Sequence, residues 1–121
     1  MGAERITLAG RSFAIVSVDG VAVIPSATPD LAFGADGRVS GKATVNRLMG
    51  QYALEGDVLR FGALATTMMA GPSELMEQEQ RVLATFAHPL RVEAAADGQV
   101  LLVSDAGTAL LRPAPEAVDE A

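Results

Sequence analysis

Short apolar runs broken by glycine turns most constrain what this chain can fold into. Asp19-Gly20, Asp36-Gly37, Glu55-Gly56, Asp97-Gly98 and Ala106-Gly107 punctuate it. An Asp-Gly pair favours a tight hairpin loop, whose central residues take positive φ that glycine adopts without cost. The runs between these turns are strand-like: Phe13–Val18, Val21–Ile24, Leu31–Phe33, Arg38–Asn46, Gln51–Leu54 and Asp57–Phe61. Three more follow late in the chain, at Arg91–Ala95, Gln99–Val103 and Ala109–Leu111. Ala63–Met69 reads as a connection or an irregular strand. Gly41 sits inside a run and signals a bulge or a close backbone approach.

One segment breaks the pattern. Ser73 to Ala87 reads as a helix, with Pro72 suited to its first turn and Pro89 ending it. Glu74 and Glu77 favour its positive N-terminal end. Leu75, Val82, Leu83 and Phe86 fall on one stripe at helical spacing. Glu79 lies in the middle of that stripe. A carboxylate there is costly unless hydrogen-bonded or paired, so it reads as a structural Glu held by backbone or an Arg. A pocket carboxylate with a raised pKa and a locally rotated helix are the alternatives.

Many short strands and one helix predict an α+β domain, mainly β: a cracked or curled antiparallel β-barrel packed on a single helix. The 121 residues suit one domain, and half of them are hydrophobic. The packed part is expected over about residues 11–113, with the first ten residues and the Ala/Pro/Glu tail peripheral. Four Phe, one Tyr and no Trp leave the core to Val, Leu, Ile, Ala and Met.

Composition also excludes function classes. The net charge of −6, part of it from Glu116, Asp119 and Glu120, argues against nucleic acid, which needs clustered cations. It argues equally against electrostatic docking on anionic lipid. No apolar run reaches membrane-spanning length. Met1–Gly10 shows no signal-peptide pattern, and Ile6 spoils a myristoylation motif begun by Met1-Gly2. The chain therefore reads as a trimmed exported protein or a cytoplasmic variant.

Candidates for chemistry are few. There is no cysteine, only one histidine, His88, and no recognisable serine elbow, so the sequence shows neither a Cys-based metal site, nor a second imidazole to complete a metal site, nor a nucleophile–base pair. Glu74 and Glu77 share a helix face, which reads as solvated. Met68, Met69 and Met76 read as core filling or as an adaptable apolar surface. No catalytic residue, metal or cofactor is expected. An enzyme would have only Glu79, Tyr52 and Thr67 to work with.

The ordered set Gly41, Asn46, Gly50, Tyr52, Gly56, Leu64, Ala65, Thr67, Met69, Ala70, Pro72, Glu79 and Leu83 resembles the META/HslJ family of bacterial envelope domains. The likeness covers about residues 11–113. Val45 and Gly71 stand where many relatives carry cysteine, and losing both fits the loss of a bridged pair. Local roles can be read for the motif: Asn46 bonding turn backbone, Gly50 and Gly56 at positive φ, Tyr52 with its ring in the core and its hydroxyl at a rim.

The resemblance implies an MxiM-like barrel with a lipid- or peptide-accepting apolar cavity, here drawn from Met69, Leu75, Leu83 and Phe86. It implies a non-catalytic, stress-associated domain of the bacterial envelope, in the periplasm or at the outer membrane. The expected state is a monomer that binds an apolar ligand such as lipid, or a protein segment. The alternative is a protein-interaction module without a cavity, acting as an assembly or secretion accessory.

Overall fold

The computed structural model describes residues 6–114. The strands are β1 (Arg11–Val18), β2 (Val21–Ala22), β3 (Asp30–Phe33), β4 (Arg38–Lys42), β5 (Arg47–Glu55), β6 (Val58–Phe61) and β7 (Ala65–Thr66). Then come α1 (Ser73–Phe86), β8 (Leu90–Ala94), β9 (Val100–Ser104) and β10 (Gly107–Ala114). Eight strands form an antiparallel ring in the order β1-β3-β4-β5-β6-β8-β9-β10, and β10 returns to pair with β1. The two-residue strands β2 and β7 attach to β1 and β5. Glu116, Asp119, Glu120 and Met1-Gly2 lie outside the described residues. Pro113 and Ala114 belong to β10, which carries the packed strand one residue past the expected boundary at 113.

An eight-stranded ring leaves an interior that side chains can fill. Inward positions of alternate residues do so here: Phe13, Ile15, Leu31, Phe33, Val39, Leu48, Leu59, Leu102 and Leu111 are buried. The few aromatics carry more of this core than composition suggested. Phe13 meets Phe33 at 6.0 Å, Phe33 meets Tyr52 at 4.9 Å and Phe61 at 6.3 Å, and Phe61 meets Phe86 at 5.0 Å between ring centroids. All five aromatic residues thus form one connected file, and such pairs add about 0.5–1.5 kcal/mol each beyond burial. Met68 and Met69 do not fill the core, at 91% and 57% exposed, and Met76 is half-buried. Leu8 is buried at 1% exposure and Ile6 packs on the core, so the packed unit begins before residue 11.

The Arg38–Asn46 run is two structures, not one strand. β4 ends at Lys42, the chain turns through Ala43–Asn46, and β5 starts at Arg47. Ala43 N–H donates to the Asn46 carbonyl at 2.7 Å across that turn. No Gly or Pro marks it, and the Val45 and Asn46 N–H groups are satisfied by a helix far along the sequence. Within β4, an added Cβ on Gly41 would collide with the Asp30 carbonyl oxygen, which confirms a close backbone approach there.

α1 closes one end of the ring, where Thr85 faces Gly107 and Gln78 reaches the turns at Ile24–Ala27 and Thr44. At the other end Tyr52 donates its hydroxyl to the Gly34 carbonyl at 2.7 Å. Burial pushes the Tyr52 pKa above 10.0, and the Asp36 carboxylate adds to the effect. The fold therefore favours the neutral phenol. That contribution is complete below about pH 10 and is lost as pH rises through the higher folded-state value. Absorbance titration of this single tyrosine should give a midpoint above that of free tyrosine. Tyr52→Phe should flatten the alkaline fall in stability above pH ~10. A midpoint at or below the free value would contradict this account.

Candidate functional site

Glu79 organises the helix-capped end. It is 4% exposed, on the inward face of α1. Its Oε1 accepts the N–H groups of Val45 and Asn46, each at 2.8 Å, and its Oε2 accepts Asn46 Nδ2 at 2.7 Å. Asn46 extends the network. Its Nδ2 also donates to the Met69 carbonyl at 3.0 Å. Its Oδ1 accepts the Met69 N–H at 2.6 Å and the Thr67 hydroxyl at 2.9 Å. The Thr67 oxygen in turn accepts the Arg47 N–H at 3.0 Å. Asn46 thus does not bond its own turn as expected; it ties that turn to the segment entering the helix. The fold brings four of the motif residues, Asn46, Thr67, Met69 and Glu79, to one place.

Gln78 does the same work one residue earlier. Its Oε1 accepts the Ile24 N–H at 2.8 Å, and its Nε2 donates to the Ala27 carbonyl at 2.9 Å and to Thr44 Oγ1 at 3.0 Å. Gln78 and Thr44 were not singled out from sequence. The available signal was that Gln78 adjoins Glu79 on the inward side of the helix. The buried face is Gln78, Glu79, Val82, Thr85 and Phe86, while Leu75 and Leu83 are half-buried. The knot has no open coordination or cleft: every polar atom named in it already has a protein partner. Among the described residues, no three His, Cys, Asp or Glu side chains gather as metal ligands would.

A second feature lies beside the knot. The ladder between β6 and β8 holds only two residue pairs, Val58 with Arg91 and Leu59 with Leu90. Where β8 falls short, the segment 61–66 faces the last turns of α1 across an open groove of about 480 Å³. Phe61, Leu64, Thr66, Leu83, Phe86 and Ala87 line it. β7 pairs with β5 on one side only. Thr67 N–H points at the Arg47 carbonyl, 3.1 Å away, so by the alternation of an antiparallel ladder the Thr66 N–H and C=O point to the free side. The groove therefore combines apolar side chains and exposed polar groups in about equal measure with an unpaired strand edge.

A family model, the META domain, matches residues 6–117. The chain belongs to the META domain family. Two solved structures share its fold. An NMR structure of a protein from Burkholderia xenovorans is 25% identical, with a TM-score of 0.72, covering 94% of this chain and 92% of that one. A second NMR structure of a protein is 26% identical, with a TM-score of 0.71, covering 87% of this chain and 90% of that one. No curated protein matches.

In this META domain Val45 and Gly71 are neighbours. A Cβ built on Gly71 lies 3.7 Å from Val45 Cβ and 2.8 Å from Val45 Cγ2. The valine thus fills space that a glycine leaves, and the two positions that resemble the family's cysteine sites touch without a bond. Gly50 is not at positive φ as expected. Its space is taken by the overlying chain: an added Cβ would meet the Ala63 carbonyl and Leu64 Cδ2, each at 2.9 Å. Gly56, at φ 63°, is a turn glycine as expected. Pro72 precedes α1, and its carbonyl accepts the Leu75 and Met76 N–H groups. Of the predicted cavity residues, Leu83 and Phe86 line the groove, whereas Leu75 and Met69 do not. Glu74, Glu77 and His88 are exposed.

Glu79→Gln should keep the shape but turn an amide N–H₂ toward a donor. Urea unfolding should show a loss of about 1–3 kcal/mol, and an unchanged midpoint would refute the role of the carboxylate. The Val45→Cys/Gly71→Cys pair stands at a Cβ separation suited to a disulfide, for which roughly 3.5–4.5 Å is usual. It should oxidise without rearrangement and stabilise the fold by about 2–4 kcal/mol over its reduced form. Two free thiols after oxidation would count against the geometry.

Proposed function

We propose that this META domain is a non-catalytic binding domain that accepts an extended apolar segment of a partner protein in the groove between residues 61–66 and the end of α1. The carrying observation is the free edge of β7 running beside apolar side chains. A segment that adds to β7 pairs the Thr66 N–H and C=O and sets alternate side chains into the groove. An acyl chain in the same place would cover those groups without pairing them, at about 1–3 kcal/mol for each buried orphan. That difference favours a peptide over lipid. The exposed Met68 and Met69, next to β7, supply the adaptable apolar surface that peptide binding uses. Location in the bacterial envelope, a stress association and an assembly or secretion accessory role accompany this reading through the family resemblance. They are part of the proposal.

Fluorescence anisotropy with labelled extended peptides of alternating Leu and Ser, beside a fluorescent fatty acid, tests it. Leu83→Glu should abolish peptide binding by charging the groove wall. Thr66→Pro should weaken peptide binding at least tenfold, because it removes the edge N–H, while leaving the Leu64, Leu83 and Phe86 side chains of the groove in place. Fatty-acid uptake without peptide binding would replace this reading with an acyl-chain carrier.

A further inference from the structure

The wall that α1 gives to the groove is the C-terminal end of the helix, and that end is open. The last carbonyls of a helix have no partner within it, and a glycine turn or a basic side chain commonly closes them. Neither closure is present here. His88 follows the Ala87 cap, and Pro89 after it offers no N–H. No basic side chain lies in the last turn. The Ala87 N–H turns back to the Ala84 carbonyl at 3.3 Å. It thereby bypasses the Leu83 carbonyl, which the next α-helical bond would reach. Among the described residues, nothing donates to the carbonyls of Leu83, Thr85 or Phe86.

The groove exposes this end. Leu83, Phe86 and Ala87 line it, and Thr66 is the one polar side chain among its lining residues. Its exposed polar surface is therefore largely main chain. No charged side chain lines it. The helix dipole leaves roughly half a negative charge at such an end, and nothing in the wall offsets it. An aliphatic stem with a cationic head matches both parts of this surface. The stem covers Leu83 and Phe86, and the head brings donors to the carbonyls. Lys and Arg have that form. The net charge of −6 draws a basic segment in at long range.

We infer that the segment docked on β7 carries a Lys or Arg among its inward side chains, seated at the C-terminal end of α1. This rests on the groove reading above. Thr66 lines the groove, so the docked residue opposite it, and those two places to either side, point inward. The basic residue is the one of these nearest the helix end. A wholly apolar segment would cover the free carbonyls without donors, and an acidic one would meet the negative end of the dipole.

Capped seven-residue peptides of alternating Leu and Ser test this, with Lys or Glu replacing each Leu in turn. They are titrated against the wild type, Ala87→Lys and Ala87→Met at about 0.15 M salt, where distant charges are screened. Circular-dichroism melts check that both variants fold. At one inward position the Lys peptide should bind the wild type roughly three- to thirtyfold more tightly than the Glu peptide. Ala87→Lys places a cation at the helix end and should close that gap. Ala87→Met, similar in length and uncharged, should keep it. The role of the helix end is overturned, and the groove reading stands, if the Leu/Ser peptide binds but no position separates Lys from Glu. The same holds if Ala87→Lys leaves the gap unchanged, or if Ala87→Met closes it equally. If no peptide binds, both fall.

Discussion

One carboxylate, that of Glu79, sets the geometry of the helix-capped end. A barrel end presents turns whose backbone groups have no ladder partner, and each must find another. Glu79 serves two N–H groups of the Ala43–Asn46 turn and the Asn46 side chain at once. Asn46 then passes the constraint to Thr67 and Met69, and so fixes where the chain leaves β7 for the helix. The groove inherits its shape from this. Its two walls, residues 61–66 and the end of α1, are joined through the same polar knot.

The ring and its opening have a common cause. Closing eight strands around a small interior lets Leu, Ile, Val and Phe fill it, and the aromatic file joins it to the helix. β6 and β8 are separated in sequence by β7 and the whole of α1, and they meet over only two residue pairs. The same excursion that supplies the helical cap also leaves β7 as a short strand with a free side. Gly50 permits it, since any larger residue there would strike the Ala63 carbonyl of the overlying chain. Capping the barrel and exposing an edge are two results of one path.

Much of the fold was legible because it rests on local chemistry. The Asp-Gly and Glu-Gly turns, the alternating strands and the Pro-bounded helix follow from preferences that act within a few residues. The Ala43–Asn46 turn was invisible for the opposite reason: its donors are satisfied by Glu79, more than thirty positions away. Glu79 itself was legible as a buried carboxylate needing donors, though not which donors. Asn46 was found as a motif residue but given the wrong partners. Gln78 and Thr44 escaped because an inward Gln looks like any polar helix residue until its acceptors are placed. The groove was half legible. Leu83 and Phe86 follow from helical spacing, but Phe61, Leu64 and Thr66 join them only through the shortness of the β6–β8 ladder, which no local pattern encodes.

Gln78 and Glu79 adjoin on one helix and hold loops from three distant parts of the chain: Ile24–Ala27, Thr44–Asn46 and, through Asn46, Thr67–Met69. Their protection from solvent is therefore coupled. If α1 lifts from the barrel, these loops lose their partners in the same event, and the amide protons of Ile24, Val45 and Asn46 become exchangeable together. In opening, the cap behaves as one cooperative unit assembled from separate stretches of sequence.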